Sequence, residues 1–414
     1  MGRPAVCVIT LGCKVNQCDG EDMCRALAGR GWRISARGEA AEAFIVNTCT
    51  VTATADAKAR KLVRRLARAH PGATIVVTGC LAQRDPEAVA GLPGVAAVVP
   101  NARKGEIADL LHLSSNPDPA VAGRPPGART RAFVKVQDGC DQGCAYCAVP
   151  EARGKPWSRP LGDALAEVRA RVEAGAREVV LCGIRLGAYQ TPEGGLAALL
   201  LGLREVEARL RLSSLEPMDL GEELLEEMAG HPRLCRHVHV PLQSGDDGVL
   251  EAMGRGYTAE EYRGLVARLR AVWPEVAIST DVMAGFPGET PEQFARTARL
   301  LREVRFTRVH VFPYSPRPGT PAARRRDQVP AAERRARAAQ LLEVAEGLAR
   351  EAAEAWVGRE VEALVEERRG EMLSGLTEHY VRVRAPGPAA WVGRLVRLRA
   401  VAAQGGELRG EPVG

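Results

Sequence analysis

The stretch Val136-Gln137-Asp138-Gly139-Cys140-Asp141-Gln142-Gly143-Cys144-Ala145-Tyr146-Cys147 decides how the rest of the chain is read, because three thiols fall within eight residues at a C-x3-C-x2-C spacing. Three thiolates from one short loop can hold three corners of an iron–sulfur cube. Structural zinc takes a closed set of four ligands instead. No histidine and no fourth cysteine occurs from Gln137 to Pro160. The spacing therefore reads as a three-coordinate cluster site whose remaining iron is open to a small molecule. Two other readings stand beside it: three reduced, buried thiols, or a zinc site that borrows a distant ligand. Gly139 and Gly143 surround the cysteines with turn-forming backbone rather than core.

The 414 residues suffice for two or three domains, and 46% hydrophobic with 26% charged content is ordinary for a globular protein. Nothing reads as a membrane span. Met1-Gly2-Arg3-Pro4-Ala5-Val6 runs into a strand-like segment without a signal-peptide core, so a cytoplasmic protein is expected. Eleven cysteines in such a chain point to metal or redox chemistry rather than disulfides. A net charge of +6 admits an anionic partner such as RNA without requiring one.

From Ala5 to about Leu113, apolar strands at Ala5–Thr10, Ala43–Asn47, Thr74–Gly79 and Val95–Val99 alternate with helical stretches, which predicts an open parallel α/β domain over 1–115. Cys13, Cys49 and Cys80 each follow one of the first three strands, at the sheet edge where such folds gather function. They are read as a second three-thiolate set. Cys7, Cys18, Cys24, Cys182 and Cys235 are assigned to no cluster, although Cys182 ends a strand and could line a cavity. The helix after Cys49 carries Lys58, Lys61, Arg64, Arg65 and Arg68 opposite a stripe of Leu62, Val63 and Leu66. This is either a solvated face or a ridge that contacts RNA phosphates.

A Pro-, Gly- and Arg-rich linker is expected at 116–131. Six strands then recur over 132–329, at Ala132–Gln137, Glu178–Cys182, Leu210–Ser213, His237–Leu242, Ala277–Val282 and Arg308–Phe312. With helices between them they predict a partial (β/α)6 barrel whose ligands sit at the strand carboxyl ends. By that position Gly183, Ser213, Gln243, Ser244 and Tyr314 are candidate cofactor contacts. A connecting helix is expected at 330–355. A small β-barrel is expected at 356–414, with strands at Glu360–Val365, Tyr380–Val383 and Leu395–Leu398. That last segment holds nine Arg against eight Glu, so its charge alone does not make it an RNA module.

The cysteine loop, with Tyr146 before its last cysteine, resembles the signature of radical S-adenosylmethionine enzymes. Together with Cys13, Cys49, Cys80 and the motifs Arg211–Pro217, Pro241–Gly245 and Gly285–Thr290, nearly the whole chain resembles the methylthiotransferases. The resemblance implies that the carboxy-terminal barrel is of the TRAM kind. It implies a [4Fe-4S] cluster on Cys140, Cys144 and Cys147 that binds S-adenosylmethionine and yields a 5′-deoxyadenosyl radical, with Tyr146 and the strand-end candidates around the cofactor. It also implies an auxiliary [4Fe-4S] cluster on Cys13, Cys49 and Cys80 that presents the sulfur, with a second S-adenosylmethionine as methyl donor. Implied partners are a tRNA anticodon stem-loop, an electron donor such as flavodoxin or ferredoxin, and a sulfur source. Leu11–Gln17 and Val134–Gln142 look most like the branch that methylthiolates C2 of N6-threonylcarbamoyladenosine at tRNA position 37. Isopentenyladenosine in tRNA and an aspartate of a ribosomal protein are the family's other substrates. Outside the methylthiotransferases, two readings remain: a radical enzyme with an electron-transfer cluster, and a metal-stabilised RNA-binding protein.

Overall fold

The computed structural model describes residues 3–111 and 130–413. The expected linker at 116–131 lies outside the described residues except for Thr130 and Arg131. Both of these attach to the carboxy-terminal barrel, through Thr130 Oγ1 to Glu366 O and Arg131 to the Glu366 carboxylate at 2.9 Å.

In the amino-terminal region β1 (Ala5–Thr10), β2 (Arg33–Ile34), β3 (Ala43–Thr48), β4 (Thr74–Gly79) and β5 (Val95–Val99) form one parallel sheet in the order β2-β1-β3-β4-β5. The runs Val6–Ile9, Phe44–Val46 and Ile75–Val77 are apolar throughout because helices cover both faces. The short β2 had escaped the sequence reading, since two residues with one exposed arginine carry no periodicity. Helix α1 (Lys14–Ala28) follows β1, and helix α2 (Ala53–Ala69) follows β3 with Thr52 as its N-cap. This strand order reverses direction between β1 and β3, so the crevice at their carboxyl ends is the topological switch point where open α/β sheets bind ligands.

The central region holds six parallel strands, β6 (Ala132–Lys135), β7 (Glu178–Cys182), β8 (Arg209–Leu212), β9 (His237–His239), β10 (Ala277–Ala284) and β11 (Arg308–Pro313). β6, β7 and β8 form one ladder and β9, β10 and β11 another. The bridges Leu210↔Leu234 and Ser214↔His239 join β8 to the second ladder, giving a six-stranded partial barrel. Its core runs from Val134, Leu181 and Leu212 to Ile278 and Val282, packed against Tyr262 from a surrounding helix and Phe306 from the loop before β11.

The helix Ala331–Glu354 runs along β11 into a closed barrel of β12 (Glu360–Arg369), β13 (Met372–Thr377), β14 (Arg382–Pro386), β15 (Leu395–Gln404) and β16 (Glu407–Pro412), in the order β12-β13-β14-β16-β15. β13 and β16 were not expected, because Gly375 interrupts one and only Leu408 and Gly410 are buried in the other. Tyr380, expected in a strand, sits in the β13–β14 turn with φ 64°. The barrel is seated on buried charge. Arg209 and Arg211 of β8 share Glu178 at 2.7 and 2.8 Å and donate to the carbonyls of Leu376, Thr377 and Glu378. Burial opposes the Glu178 charge, but the two guanidiniums hold its carboxyl down at about 2. Among the described residues no helix is long and apolar enough to cross a membrane.

Candidate functional site

The three strand ends of the first sheet are stitched together by side chains. Asn16 Nδ2 donates to Leu11 O and to Thr48 O, at 2.8 and 2.7 Å, and Asn47 Nδ2 donates back to Asn16 O. Thr48 Oγ1 donates to Thr78 O and accepts from the N–H groups of Leu81 and Ala82, which fixes the helix Cys80–Arg84 against β3. These bonds hold Cys13, Cys49 and Cys80 near enough to feel one another's charge. Gly12 permits the approach: at φ 97°, a Cβ there would lie 2.5 Å from Cys49 Cβ and 2.7 Å from its sulfur.

Each sulfur of this set faces an N–H donor: the Asn16 backbone for Cys13, the Val51 backbone for Cys49, and Asn101 Nδ2 at 3.8 Å for Cys80. The second set repeats the pattern. Gln142 N–H reaches Cys140 Sγ at 3.5 Å, Arg255 Nη1 reaches Cys144 Sγ at 3.3 Å, and Val149 N–H reaches Cys147 Sγ at 3.4 Å. Burial pushes the Cys49 thiol up to about 11 and the Cys147 thiol up to about 12. Three mutually repelling thiolates in a desolvated place are unfavourable unless a cationic metal group neutralises them. Six sulfurs with one N–H donor apiece form the donor set that iron–sulfur groups use. The residues present therefore fit such groups at both places.

One cation ties the two sets together. Arg153, its side chain 2% exposed, lies in the helix Val149–Arg153 just after the second cysteine loop. It binds both Asp138 oxygens at 2.8 Å, Asn16 Oδ1 at 2.5 Å and Asp19 Oδ2 at 3.1 Å, and its charge is felt at Cys80 and Cys13. Although burial works against its charge, Lys104, Lys135 and Arg153 keep the Asp19 carboxyl well below the usual carboxylate range.

Both sets border one cavity of about 430 Å³. Cys13 lines it from the first set, and Cys140, Cys144 and Cys147 line it from the second, with Tyr146 between them. Gly183, Ser213 and Gln243 also line it, and Gly183 N–H donates to Ser213 Oγ at 3.1 Å. Ser244 and Tyr314, expected beside them, lie outside it. The left-handed backbone at Gln243 turns fully buried Ser244 toward Thr297 at 3.2 Å. Tyr314 N–H continues the β10–β11 ladder to Ala284 O, and strand alternation places its ring against Phe286 and under Arg334. Cys182 does not reach the cavity either; it is packed with Cys18, Val15 and Phe133 where α1 meets the barrel. A larger groove of about 830 Å³ borders Asp19, Lys104, Lys135 and Arg153 but none of the six cysteines.

Among the lining residues that the sequence did not single out as contacts are Arg255 and Glu216. Arg255, beside Cys144, pairs with Glu216, whose carboxyl burial pushes up from its ordinary value. Glu216 was detectable from its place at a strand end in Ser213-Ser214-Leu215-Glu216-Pro217; Arg255 carries no local signal. On α2, Leu62, Val63 and Leu66 are buried, while Lys58, Lys61, Arg64, Arg65 and Arg68 are exposed and form no ion pair among the described residues.

Residues 134–301 match the Radical SAM superfamily, and residues 5–100 match the uncharacterized protein family UPF0004. A threonylcarbamoyladenosine tRNA methylthiotransferase of Thermotoga maritima is 37% identical over 413 residues, covering 96% of this chain and 94% of that protein. The chain belongs to the radical S-adenosylmethionine methylthiotransferases. A threonylcarbamoyladenosine tRNA methylthiotransferase of Bacillus subtilis is 34% identical, covering 94% of this chain and 92% of that protein. A tRNA-2-methylthio-N6-dimethylallyladenosine synthase of Mycobacterium avium is 37% identical, covering 95% of this chain and 58% of that protein. Among solved structures, the radical S-adenosylmethionine methyltransferase TsrM of Kitasatospora setae superposes with a TM-score of 0.56 over 78% of this chain and 77% of that one. At 18% identity this likeness concerns the fold alone. This methylthiotransferase is thus a transferase whose family cofactors are S-adenosylmethionine and [4Fe-4S] clusters.

Proposed function

We propose that this enzyme methylthiolates C2 of N6-threonylcarbamoyladenosine at position 37 of tRNA. The observation that carries the reading is the single cavity lined by Cys13 from one three-sulfur set and by all three cysteines of the other. Cys140, Cys144 and Cys147 would hold the [4Fe-4S] cluster that works with S-adenosylmethionine, and Cys13, Cys49 and Cys80 the auxiliary one. When bound, these groups supply one-electron reductive cleavage of S-adenosylmethionine and a deliverable sulfur. The chain's own residues position and shield. Tyr146, Gly183, Ser213 and Gln243 wall the cofactor's side of the cavity, and Arg255 sets a cation against the thiolates at 3.3 Å from Cys144 Sγ. The exposed face of α2, with Lys58, Lys61, Arg64, Arg65 and Arg68, serves as a ridge for the phosphates of the anticodon stem-loop. A cytoplasmic setting, an electron donor such as flavodoxin or ferredoxin, and a source of sulfur complete the reading.

Its test is mass analysis of tRNA nucleosides from cells lacking the gene. Loss of the methylthio derivative of threonylcarbamoyladenosine is expected. Unchanged levels, with loss of the isopentenyl product instead, would establish the second reading, which the 37% identity to the Mycobacterium avium protein keeps alive. Anaerobic reconstitution should give brown protein with about eight irons per chain. Colourless, zinc-bearing protein that binds RNA and consumes no S-adenosylmethionine would replace both readings with an RNA-binding module.

A further inference from the structure

The cavity between the cysteine sets carries positive charge that cluster binding does not use. Lys14, next to Cys13, lines it and makes no ion pair or hydrogen bond with any described residue. Across from it stands Tyr380, brought in by the left-handed β13–β14 turn of the carboxy-terminal barrel. The Tyr380 ring stacks on His237 at 4.3 Å, with Arg211 over it at 5.2 Å and Arg308 at 5.9 Å. Its hydroxyl has no hydrogen-bond partner among the described residues.

The neighbouring charges are otherwise committed. Arg211 is taken by Glu178 and Arg131 by Glu366. The Asp281 carboxylate, which also lines the cavity and feels the Lys14 charge without pairing with it, lies 3.3 Å from the His239 ring and 3.8 Å from the His310 ring. His237 and His239 share Ser279 Oγ at 2.8 and 2.9 Å. Lys14 and exposed Arg308 form no ion pair among the described residues, and both charges are felt at the tyrosine. Burial alone would raise the Tyr380 phenol, yet Lys14, Arg131, Arg211 and Arg308 outweigh it and leave it below its ordinary value. A site that favours a phenolate also favours a carboxylate.

We propose that Lys14 and Tyr380 form a carboxylate-binding subsite that takes the acidic end of an N6-acylamino-acid substituent on the substrate adenine, with Arg308 backing the ring. The inference rests on the threonylcarbamoyladenosine reading and deepens it. That substituent ends in a carboxylate, whereas an isopentenyl group offers nothing to an ammonium and a phenol and would leave both desolvated and unpaired. Lys14 comes from the cluster domain and Tyr380 from the carboxy-terminal barrel, so the subsite is complete only when both are seated on the central barrel. Selectivity for the acidic substituent would then be a property of the assembled chain.

The test uses the reconstituted full-length enzyme and two anticodon stem-loops, one carrying threonylcarbamoyladenosine and one carrying its methyl ester, which is neutral at that end. Affinities are measured without reductant by fluorescence anisotropy, and KM and kcat with it. The wild-type enzyme should bind the acid roughly 10- to 100-fold more tightly than the ester, the range of a charge-assisted hydrogen bond. Lys14→Gln should remove that difference by weakening the acid alone, raising KM with little effect on kcat. Lys14→Arg should restore most of it, and Tyr380→Phe should lose a smaller part. Iron content of about eight per chain in every variant shows that Cys13 still holds its cluster. Equal weakening of acid and ester by Lys14→Gln would mean a contact to RNA phosphate and would overturn the proposal, as would no change in either. Wild-type enzyme that methylthiolates the acid stem-loop while Lys14→Gln keeps its preference defeats the subsite alone. Wild-type enzyme that leaves the acid stem-loop unmodified defeats the substrate reading, and the subsite with it.

Discussion

Replacing Gly12 by alanine should empty one cysteine set and spare the other. At φ 97° the backbone of Gly12 occupies a region that costs an L-residue about 1–3 kcal/mol. The added Cβ would stand 2.5 Å from Cys49 Cβ and 2.7 Å from its sulfur, against the 3.5–4.0 Å at which carbon atoms normally rest. Overpacking of that kind costs about 1–3 kcal/mol more. The sum, roughly 2–6 kcal/mol, acts on the one conformation that brings Cys13 beside Cys49. At tenfold per 1.4 kcal/mol, its population should fall about 30-fold to 20,000-fold. Anaerobic reconstitution of the variant should then give about four irons per chain instead of about eight. S-adenosylmethionine cleavage should persist, because the loop from Cys140 to Cys147 is untouched, while the methylthiolated product disappears. Gly143→Ala is the matched control: Gly143 also adjoins a cysteine of its set, but a Cβ there meets nothing within 4 Å. If Gly12→Ala retains eight irons, or Gly143→Ala loses as many, crowding at Gly12 does not govern how Cys13 meets Cys49.

Glu178→Gln leaves Arg209 and Arg211 buried without a counter-charge, a loss of about 3–5 kcal/mol at the seat of the carboxy-terminal barrel. Limited proteolysis should release the segment from 356 onward from the variant well before the wild type, and equal protection of the two would count against the seat. His379, buried 4.1 Å from Trp356, is held neutral by burial, its pKa down at about 4. Its contribution is therefore complete above its ordinary value of 6.5 and is lost as pH falls toward 4, by up to about 3 kcal/mol. Thermal melts at pH 7.5 and pH 5 should diverge in the wild type and diverge less in His379→Phe, the remainder coming from His237 and His231, which burial also holds toward the neutral form; a variant that keeps the full acid sensitivity would place the titrating group elsewhere. Reversing the charge of Lys61 and Arg65 on α2 should weaken tRNA binding and lower the slope of log K against log salt by about 1 per lost phosphate contact. An unchanged slope would make the ridge a solvated face only.

Particular residues mark how far the primary sequence can be read. β4 and β7 were readable to the residue because their β-branched runs are bounded by turn-formers and buried on both faces. β2, β13 and β16 were not, since two residues, a mid-strand glycine and a barrel strand with few buried side chains carry no clean period. The six cysteines could be placed from sequence because each set has a local marker, a fixed spacing in one loop or a fixed position after three strands. The strand-end rule for cofactor contacts served less well, because it gives the end of a strand but not the direction of the side chain: Gln243 faces the cavity, while Ser244 and Tyr314 turn from it.

Local chemistry along the chain determined the parallel domains, the two thiol sets and the basic helix, all of which depend on residues close in sequence. Only the tertiary structure decided what those sets share. Arg255 meets Cys144 across 111 residues and Arg153 meets Asn16 across 137. Tyr380 reaches the cavity from a different domain than Lys14. Such contacts are specified by burial of charge between segments far apart in the chain, which leaves no periodicity or spacing behind it, so the cavity where the two sets meet appears only once those segments are packed.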